Sequence, residues 1–377
     1  MKNRLMTPGP VEIPPEVLLE MAQPIFHHRT PRHKAMVAET IEHAHHVFQT
    51  QADIVILAAS GTGGMEASVV NLLQPGDKAL TVNGGKFGER WGKLAALYGA
   101  DVVQLDVEWG LSVDPQAIRD ALQQNPDIKA VYTTLSETST GAATDIKAIG
   151  EIVAQTDAVL VVDGISSVGA MELRADEWGV DVVVGGSQKA FLIPPGLAIL
   201  SISPKAKARI QSLPTRCFYF DLKAALDKAK EDDFPFTPAI TLIRALNCSL
   251  AMLHEEGMPQ VWARHERMAA ACRAGLQAIG FAIFPQQPAC PLTVARVPEG
   301  VDGGKLVKAL EADYGFKIAG GQEALKGKIV RVSNMGYIDE ADLLGVLSAI
   351  ERSMRDMGQK VDTGAGVAAA QQVIASA

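Results

Sequence analysis

Short apolar runs alternate with helical segments from about residue 50 onward, and this alternation restricts the fold more than any other feature of the chain. Ile54–Ala59 precedes the turn Ser60–Gly64, which opens a helical segment. The same order recurs at further apolar runs, namely Lys78–Val82, Ala130–Thr134, Ala158–Val162 and Asp181–Val184. Repeated strand–helix units of this kind predict an α/β fold around a mostly parallel sheet that is covered on both faces.

A second, smaller domain is predicted near the C-terminus, where the pattern changes. Strand-like segments at Ala282–Val297 and Lys328–Val332 flank the helical segment Gly303–Tyr314. The last residues are rich in Ala, Gly and Gln, which is typical of a flexible end. We therefore expect four parts, which are an N-terminal segment (1–20), a large domain (21–250), a small domain (251–358) and a flexible tail (359–377).

Composition and charge exclude several classes of protein. The 377 residues carry a formal net charge of -8 without a long basic run, which argues against nucleic acid or an anionic membrane as the main partner. No stretch is apolar for long enough to cross a membrane, and the N-terminal segment has no secretory signal pattern. The four cysteines lie far apart, without a CxxC pair. These features predict a cytoplasmic protein with reduced thiols.

The glycine-rich turn Ser60–Gly64 is a candidate phosphate site. Its glycines allow backbone N–H groups to converge on an anion at the start of a helix, where the helix dipole also favours negative charge. A tight strand–helix turn without a ligand would have the same sequence. Glu66 occupies the third glycine position of the dinucleotide fingerprint, so a nicotinamide cofactor is disfavoured.

Asp163 and Lys189 each follow a buried strand run, at the edge of a parallel sheet where ligands collect. Asp163 either caps the turn after its strand or binds a cationic ring nitrogen. Lys189 has apolar residues on both sides, and a lysine in such surroundings is costly unless it is used. Burial lowers the pKa of an amine, which makes it a better Schiff-base nucleophile.

Several segments together resemble the class V aminotransferases, and within that class the alanine/serine–glyoxylate aminotransferase group. They occur in the same order along almost the whole chain and are Met6–Pro10, Ser60–Glu66, Glu137–Gly141, Val162–Ser167, Gly186–Ala190 and Pro194–Gly196. The resemblance implies a pyridoxal 5'-phosphate (PLP) enzyme of fold type I, with a mostly parallel seven-stranded sheet in the large domain. It also implies a homodimer with active sites at the subunit interface, near the N-terminal segment.

The resemblance assigns roles to individual residues. Lys189 is similar to the lysine that holds PLP as a Schiff base, and Asp163 to the partner of the pyridine nitrogen. The remaining positions are the expected phosphate ligands Gly61, Thr62, Gly63, Gln188 and, from the neighbouring subunit, Thr237; the ring-stacking Phe87; Thr138, near cofactor and substrate; and the substrate-binding Arg331 and Gly9. Phe87 could instead be a core residue, and Arg331 an ordinary edge-strand arginine.

Two positions depart from the family pattern. Leu135 stands where many relatives have a histidine, which puts any specificity tied to that position in doubt, and Phe234 replaces a tyrosine near the phosphate. A metal site is not expected from the histidine-rich N-terminal part. His27 and His28 resemble the family's entrance segment, and the spacing of the helical histidines does not predict one shared face; these are His43, His45 and His46.

The resemblance predicts a transaminase that moves an amino group from a small amino acid, such as serine or alanine, to glyoxylate or pyruvate by a ping-pong mechanism. A PLP-dependent cysteine desulfurase or lyase is an alternative, but Gln188 and Phe87 stand where that subgroup has histidines. A second alternative is an accessory subunit without catalytic activity. Such a subunit would not need an intact lysine, aspartate, arginine and phosphate loop.

Overall fold

The structure is a computed structural model that describes residues 2–376. Met1 and Ala377, the outermost residues of the predicted N-terminal segment and tail, lie outside the described residues. The strands are β1 (Arg4–Leu5), β2 (Asp53–Leu57), β3 (Lys78–Asn83), β4 (Asp101–Asp106), β5 (Ile128–Thr134), β6 (Ser136–Glu137), β7 (Ala142–Ala143), β8 (Val159–Asp163), β9 (Val182–Gly186), β10 (Ala198–Ile202), β11 (Ala282–Ile283), β12 (Leu292–Arg296), β13 (Phe316–Lys317), β14 (Ala319–Gly320) and β15 (Ile329–Ser333). The helices are α1 (Pro15–Met21), α2 (Pro31–Phe48), α3 (Gly61–Leu72), α4 (Gly88–Leu97), α5 (Pro115–Gln124), α6 (Ile146–Val153), α7 (Pro204–Ser212), α8 (Leu222–Ala229), α9 (Ile240–Glu256), α10 (Met258–Ala278), α11 (Gly303–Tyr314), α12 (Glu340–Asp356) and α13 (Ala365–Ala375).

Seven strands form the central sheet, in the order β2-β10-β9-β8-β5-β3-β4. Strand β10 runs antiparallel to both of its neighbours, and the other strands run parallel. Alternate side chains enter cores on opposite faces: in β8, Val159 and Val161 pack in one core, and Leu160 and Val162 in the other. The predicted α/β fold with a mostly parallel seven-stranded sheet is confirmed.

The sheet brings several functional candidates to one edge. The parallel strands β3, β5, β8 and β9 end at the same edge, and β2 runs in the same direction because it is also antiparallel to β10. The segments that follow these strands therefore meet, although the ends of β2 and β9 are 129 residues apart in sequence.

The C-terminal part is built on a four-stranded sheet in the order β11-β12-β15-β14, and its ladders are antiparallel. The core on this sheet combines side chains from α10, α11 and α12. Strand β1 pairs in parallel with β13, so the N-terminal segment is attached to this part of the chain. Helix α9 runs across the expected domain boundary between residues 250 and 251 and ends at Glu256. Gly257, whose φ is +81°, separates it from α10.

Most of the expected flexible tail is a packed helix, which differs from the prediction. Helix α13 crosses α10 at two glycines: a Cβ on Gly366 would lie 2.8 Å from the carbonyl oxygen of Gly275. Glu351 is buried, and its carboxylate accepts hydrogen bonds from the N–H groups of Gly364, Gly366 and Val367. The Ala- and Gly-rich composition therefore serves close helix packing, and the glutamate satisfies the first N–H groups of the helix.

Within the described range 2–376, no helix combines the length and the apolar character that crossing a membrane requires.

Candidate active site

A cavity lies at the carboxyl edge of the central sheet. Seven of the predicted site residues line it, and they share it with five that were not predicted. The twelve are Ser60, Gly61, Thr62, Phe87, Arg90, Ser136, Thr138, Asp163, Ile165, Ser166, Gln188 and Lys189. Each lies at the end of a strand of the sheet, after one, or in the first turn of a helix that follows one, which is why residues so distant in sequence meet.

Lys189 follows β9 in a loop whose shape Ser187 fixes. The Ser187 hydroxyl donates to the carbonyl oxygen of Pro194 at 2.8 Å and accepts from the N–H of Leu197 at 3.1 Å. The Lys189 ammonium donates to the carbonyl oxygen of Pro8. Burial lowers the pKa of Lys189 to about 8; Asp163 opposes this shift and Arg331 adds to it. The amine can therefore lose and regain a proton near neutral pH.

Gly9 lies directly against the end of this lysine. Its φ is +102°, and a Cβ at this position would lie 2.3 Å from Lys189 Nζ. A side chain would be strained in that backbone conformation and would occupy the space of the amine. The predicted substrate-binding glycine thus contacts the predicted catalytic lysine.

Asp163 is the last residue of β8, and 4% of its surface is exposed. Its Oδ1 accepts a hydrogen bond from the N–H of Ile165 at 2.8 Å. Burial raises the pKa of Asp163 to about 7; that hydrogen bond, Arg90 and Lys189 oppose the shift, while Glu137 adds to it. A cationic ligand beside this carboxyl would favour its ionised form, because opposite charges lower the pKa of an acid.

The N-terminus of α3 supplies the predicted anion-binding turn. The N–H groups of Gly61 and Thr62 lie in the first helical turn, where no intrahelical acceptor exists. A Cβ on Gly61 would lie 2.6 Å from Ile165 Cδ1, so glycine is needed for this close approach. Gly63 was also predicted here, but it does not line the cavity. Its N–H donates to the carbonyl oxygen of Ser60, and its Cα faces Ala59 and Phe220.

The Gln188 side chain is held in the same cavity. Its Oε1 is buried and has no hydrogen-bond partner among residues 2–376. The oxygen and nitrogen of an amide can exchange places by rotation of the amide group, so the group can offer either a donor or an acceptor. A buried polar atom without a partner is costly, which indicates that this position is completed by a ligand.

Arg90 is the main cavity residue that was not predicted. Its Nη1 donates to the Thr62 hydroxyl at 2.8 Å, and its guanidinium lies 5.2 Å from the centroid of the Phe87 ring. The bond from Arg90 leaves the Thr62 hydroxyl proton free to point at an anion. The sequence signal that could have indicated Arg90 is its spacing of three residues from Phe87, because residues three apart lie on the same face of a helix.

Two hydroxyls that line the cavity are joined by a hydrogen bond. Thr138 donates to the Ser166 hydroxyl at 2.7 Å, and Ser166 donates to the carbonyl oxygen of Ser136 at 3.2 Å. These two hydrogen bonds fix the Thr138 hydroxyl as a donor to Ser166, so the lone pairs of the Thr138 oxygen point away from Ser166.

Arg331 lies beside the cavity but does not line it. It is 8% exposed; its Nε donates to the carbonyl oxygen of Gly320 at 2.9 Å and its Nη1 to that of Thr138 at 3.0 Å. Among residues 2–376, its Nη2 has no hydrogen-bond partner. Burial lowers the pKa of Arg331, and Glu137 opposes that shift. The side chain is thus fixed on two carbonyls with one terminal nitrogen available.

Thr237 and Phe234 are not brought to this cavity within one chain. They lie in another part of the surface with Tyr219 and Phe236, and Thr237 is exposed. Leu135 is 3% exposed in the core below the sheet edge, where it offers no polar group to a ligand.

The three helical histidines are not gathered on one face, as expected, because His45 contacts the carbonyl oxygen of Ala52 while the other two share a neighbour. His43 and His46 both pack against His254 of α9, with ring centroids 5.2 Å and 4.3 Å apart. Burial, and then the neighbouring His254, lowers the pKa of His46. In the described part of the chain, no group of three or more His, Cys, Asp or Glu residues is arranged to hold a metal ion.

Comparison with known proteins identifies the family. The family model "Aminotransferase class-V" matches residues 16–344. The chain is 35% identical to an L-aspartate–glyoxylate aminotransferase of Paracoccus denitrificans, over 98% of this chain and 96% of that protein. It is 35% identical to a serine–glyoxylate aminotransferase of Methylorubrum extorquens, over 99% and 96% of the two chains. The structure of a ureidoglycine–glyoxylate aminotransferase of Bacillus subtilis matches with a TM-score of 0.95 at 31% identity, over 100% of this chain and 98% of the other.

The chain therefore belongs to the class V aminotransferases, a PLP-dependent family, and the predicted resemblance is confirmed. It is an enzyme of the aminotransferase type.

Proposed function

We propose that this aminotransferase binds PLP in the cavity at the sheet edge, with Lys189 as the residue that forms a covalent bond to it. One observation supports this most strongly: a buried lysine with a lowered pKa faces a buried carboxyl, while an unpartnered amide and a helix N-terminus lie in the same cavity. When bound, PLP supplies an electron sink for the carbon next to the amino group of the substrate.

The cavity residues fit the parts of PLP. Asp163 would pair with the ring nitrogen, and the N–H groups of Gly61 and Thr62 would bind the phosphate together with Gln188. Phe87 and Ile165 line the cavity and would supply apolar surface against the ring. Thr237 would complete the phosphate site from a neighbouring subunit.

The remaining residues act on the substrate. Arg331 would hold the carboxylate of the amino acid through its free Nη2 and the second hydrogen of Nη1, in the bidentate geometry that suits a guanidinium. Lys189 Nζ would accept the proton from the substrate Cα and return it, since a pKa of about 8 lets the amine work in both directions near neutral pH. Thr138 lines the cavity together with Lys189, and its carbonyl oxygen accepts a hydrogen bond from Arg331.

We further propose a small amino acid, such as serine or alanine, as the amino donor and glyoxylate or pyruvate as the acceptor. The donor becomes a 2-oxo acid, and the acceptor becomes glycine or alanine. Glyoxylate is the acceptor in the names of all three relatives described above, while their donors differ. One or two side-chain contacts separate such donors, so half-reactions with several donors identify the preferred one.

Separate half-reactions will test this function. We expect the purified protein with PLP to convert serine or alanine to its 2-oxo acid without added acceptor, in an amount equal to the bound cofactor. Addition of glyoxylate should then release glycine and restore the original absorption spectrum. Aspartate and ethanolamine serve as donors with an additional carboxylate and with none. Absence of glycine after addition of glyoxylate, and of new alanine after addition of pyruvate, with every donor would contradict the proposed acceptors.

The pKa of Lys189 predicts how PLP uptake depends on pH. The neutral amine is the nucleophile, and its fraction rises through the pKa of about 8. The rate at which PLP-free protein acquires the absorption of lysine-bound PLP should therefore rise with pH around this value and level off above it, well below the pKa of an exposed lysine. Stopped-flow absorbance measures this rate. An inflection near the value of free lysine would show that the amine is not desolvated.

A homodimer is the arrangement we propose for the active enzyme. Phe218 is 84% exposed and Tyr219 50% exposed, and Tyr219 stacks on Phe236, next to Thr237. Large exposed aromatic side chains grouped in this way are typical of a protein interface. A second copy covering them could also bring its Thr237 toward a cofactor site.

A cysteine desulfurase is disfavoured by the thiols. None of the four cysteines lines the described cavity. Burial raises the pKa of Cys272 to about 11 and that of Cys290 well above its usual range, whereas a nucleophilic cysteine needs a lowered pKa.

The accessory-subunit alternative is disfavoured because the buried, unpartnered polar groups of the cavity would destabilise a protein that never fills it.

A further inference from the structure

Glu137 is a buried carboxylate, 5% exposed, at the end of β6, and the proposed chemistry does not use it. Its Oε1 accepts from the Ser139 hydroxyl at 2.5 Å and from the Ser139 N–H at 3.1 Å. Its Oε2 accepts from the N–H of Gly88 at 2.8 Å and of Phe87 at 3.2 Å. The two oxygens thus join the segment before Gly141 to the turn that carries Phe87.

That turn depends on acceptors from outside itself. Phe87 and Gly88 begin α4, where N–H groups have no intrahelical acceptor, and the Phe87 side chain provides no cap. The Ser139 hydroxyl, which donates to Glu137, also accepts from the N–H of Lys86 at 3.1 Å. Glu137 and Ser139 therefore satisfy three consecutive N–H groups of the turn.

The packing is close as well as polar. A Cβ on Gly85 would lie 2.4 Å from Ser139 Oγ and 2.5 Å from Glu137 Cδ. Glycine leaves this turn many backbone conformations when nothing holds it. The carboxylate in contact with the turn is what selects one conformation, and with it the direction of the Phe87 side chain.

We propose that Glu137 is a positioning residue for PLP, which acts by fixing Phe87 against the face of the cofactor ring. The inference rests on the proposed function, because it needs PLP in the cavity that Phe87 lines. Burial lowers the pKa of Arg331 and the negative charge of Glu137 opposes this shift, so the carboxylate lies within electrostatic reach of the substrate-binding arginine.

Glu351 provides a matched control. It is 3% exposed and also accepts backbone N–H hydrogen bonds, but those belong to the start of α13 in the C-terminal part. Substitution of either glutamate with glutamine replaces one acceptor oxygen by an NH₂ group that faces an N–H donor. Both variants are expected to lose stability, so only a cofactor-specific measurement separates positioning from a structural role.

A double-mutant cycle on PLP affinity tests the inference. We compare wild type, Glu137→Gln, Phe87→Leu and the double variant, with Glu351→Gln beside them, and measure the Kd for PLP and the visible circular dichroism of the bound cofactor. Glu137→Gln should weaken PLP binding roughly tenfold in the wild-type background and hardly at all in the Phe87→Leu background, since coupled residues give non-additive effects. Glu351→Gln should lower Tm while leaving Kd and circular dichroism unchanged.

The outcomes separate this inference from the proposed function. Equal losses of affinity from Glu137→Gln with and without the Phe87 ring overturn the inference alone. A wild-type protein that binds no PLP overturns the proposed function and the inference with it. If Glu137→Gln does not fold, Ser139→Ala takes its place in the cycle, because it removes the hydroxyl that joins Glu137 to Lys86. We then expect a smaller loss of PLP affinity that disappears in the Phe87→Leu background. An equal loss of affinity in both backgrounds overturns the inference.

Discussion

Replacement of Lys189 with alanine is expected to remove the absorption of lysine-bound PLP and to lower turnover by on the order of 10⁴-fold or more. The variant loses both the amine that bonds to the cofactor and the group that carries the substrate proton. The Asp163 and phosphate-binding parts of the site remain, so PLP should still bind, but without the covalent bond. Absorption spectra, a PLP titration and steady-state rates measure the three effects.

Lys205→Ala is the control for this experiment. Lys205 also has a partly buried amine, which donates to the carbonyl oxygens of Thr156 and Ala158, but it lies outside the cavity. Its removal should lower stability and leave the spectrum and turnover unchanged. A small added amine should partly restore the rate of Lys189→Ala, because the space of the missing side chain opens beside Gly9. An unchanged spectrum with full turnover would refute the assignment of Lys189.

The sequence was sufficient to predict that Asp163 and Lys189 lie at the same sheet edge, because strand direction decides it. Asp163 and Lys189 each follow an apolar run that could only be a buried strand, and the ends of parallel strands meet at one edge. Thr62 and Phe87 follow β2 and β3, which end at the same edge of this sheet. What these residues do with a cofactor remains a proposal, but their proximity follows from the alternation of strands and helices.

The contributions of Arg90 and Glu137 could not be predicted in the same way. Arg90 reaches Thr62 across the space between two helices, and Glu137 reaches the turn at Phe87 from a strand about fifty residues later in the chain. Such contacts depend on side-chain direction, which no periodicity specifies. Helix geometry likewise determines the hydrogen-bond partner of Gly63, because its N–H donates to the carbonyl oxygen of Ser60 instead of facing the cavity.

Helix α13 shows where composition alone misleads. An Ala- and Gly-rich end is typical of a flexible tail, yet Gly366 meets Gly275 at backbone contact distance. Small residues allow helices to approach closely, so the same composition also suits tight packing. The start of α13 is held by Glu351, which lies on the preceding helix α12. Its buried carboxylate accepts hydrogen bonds from the first N–H groups of α13.

Substitution of Arg331 with methionine is expected to lower kcat/KM for amino acid donors by roughly 10²–10³-fold, because a buried carboxylate would lose its charged partner. Methionine keeps much of the buried apolar volume, so the fold and the absorption of bound PLP should remain. The loss should be specific to the carboxylate: wild type should prefer serine over ethanolamine, which has the same hydroxyl and amine but no carboxylate. In the variant this preference should almost disappear. Half-reaction rates with the two donors measure it.

Arg296→Met is the matched control, since Arg296 lies on the neighbouring strand β12 of the same sheet, exposed and stacked on Phe284. It should keep both the rate and the preference for serine. Equal losses with serine and ethanolamine in Arg331→Met would show that the arginine supports the site through Gly320 and Thr138 without binding the substrate. A loss confined to serine would instead identify Nη2, the terminal nitrogen without a protein partner, as part of the group that recognises the carboxylate and so orients the Cα–H bond toward Lys189.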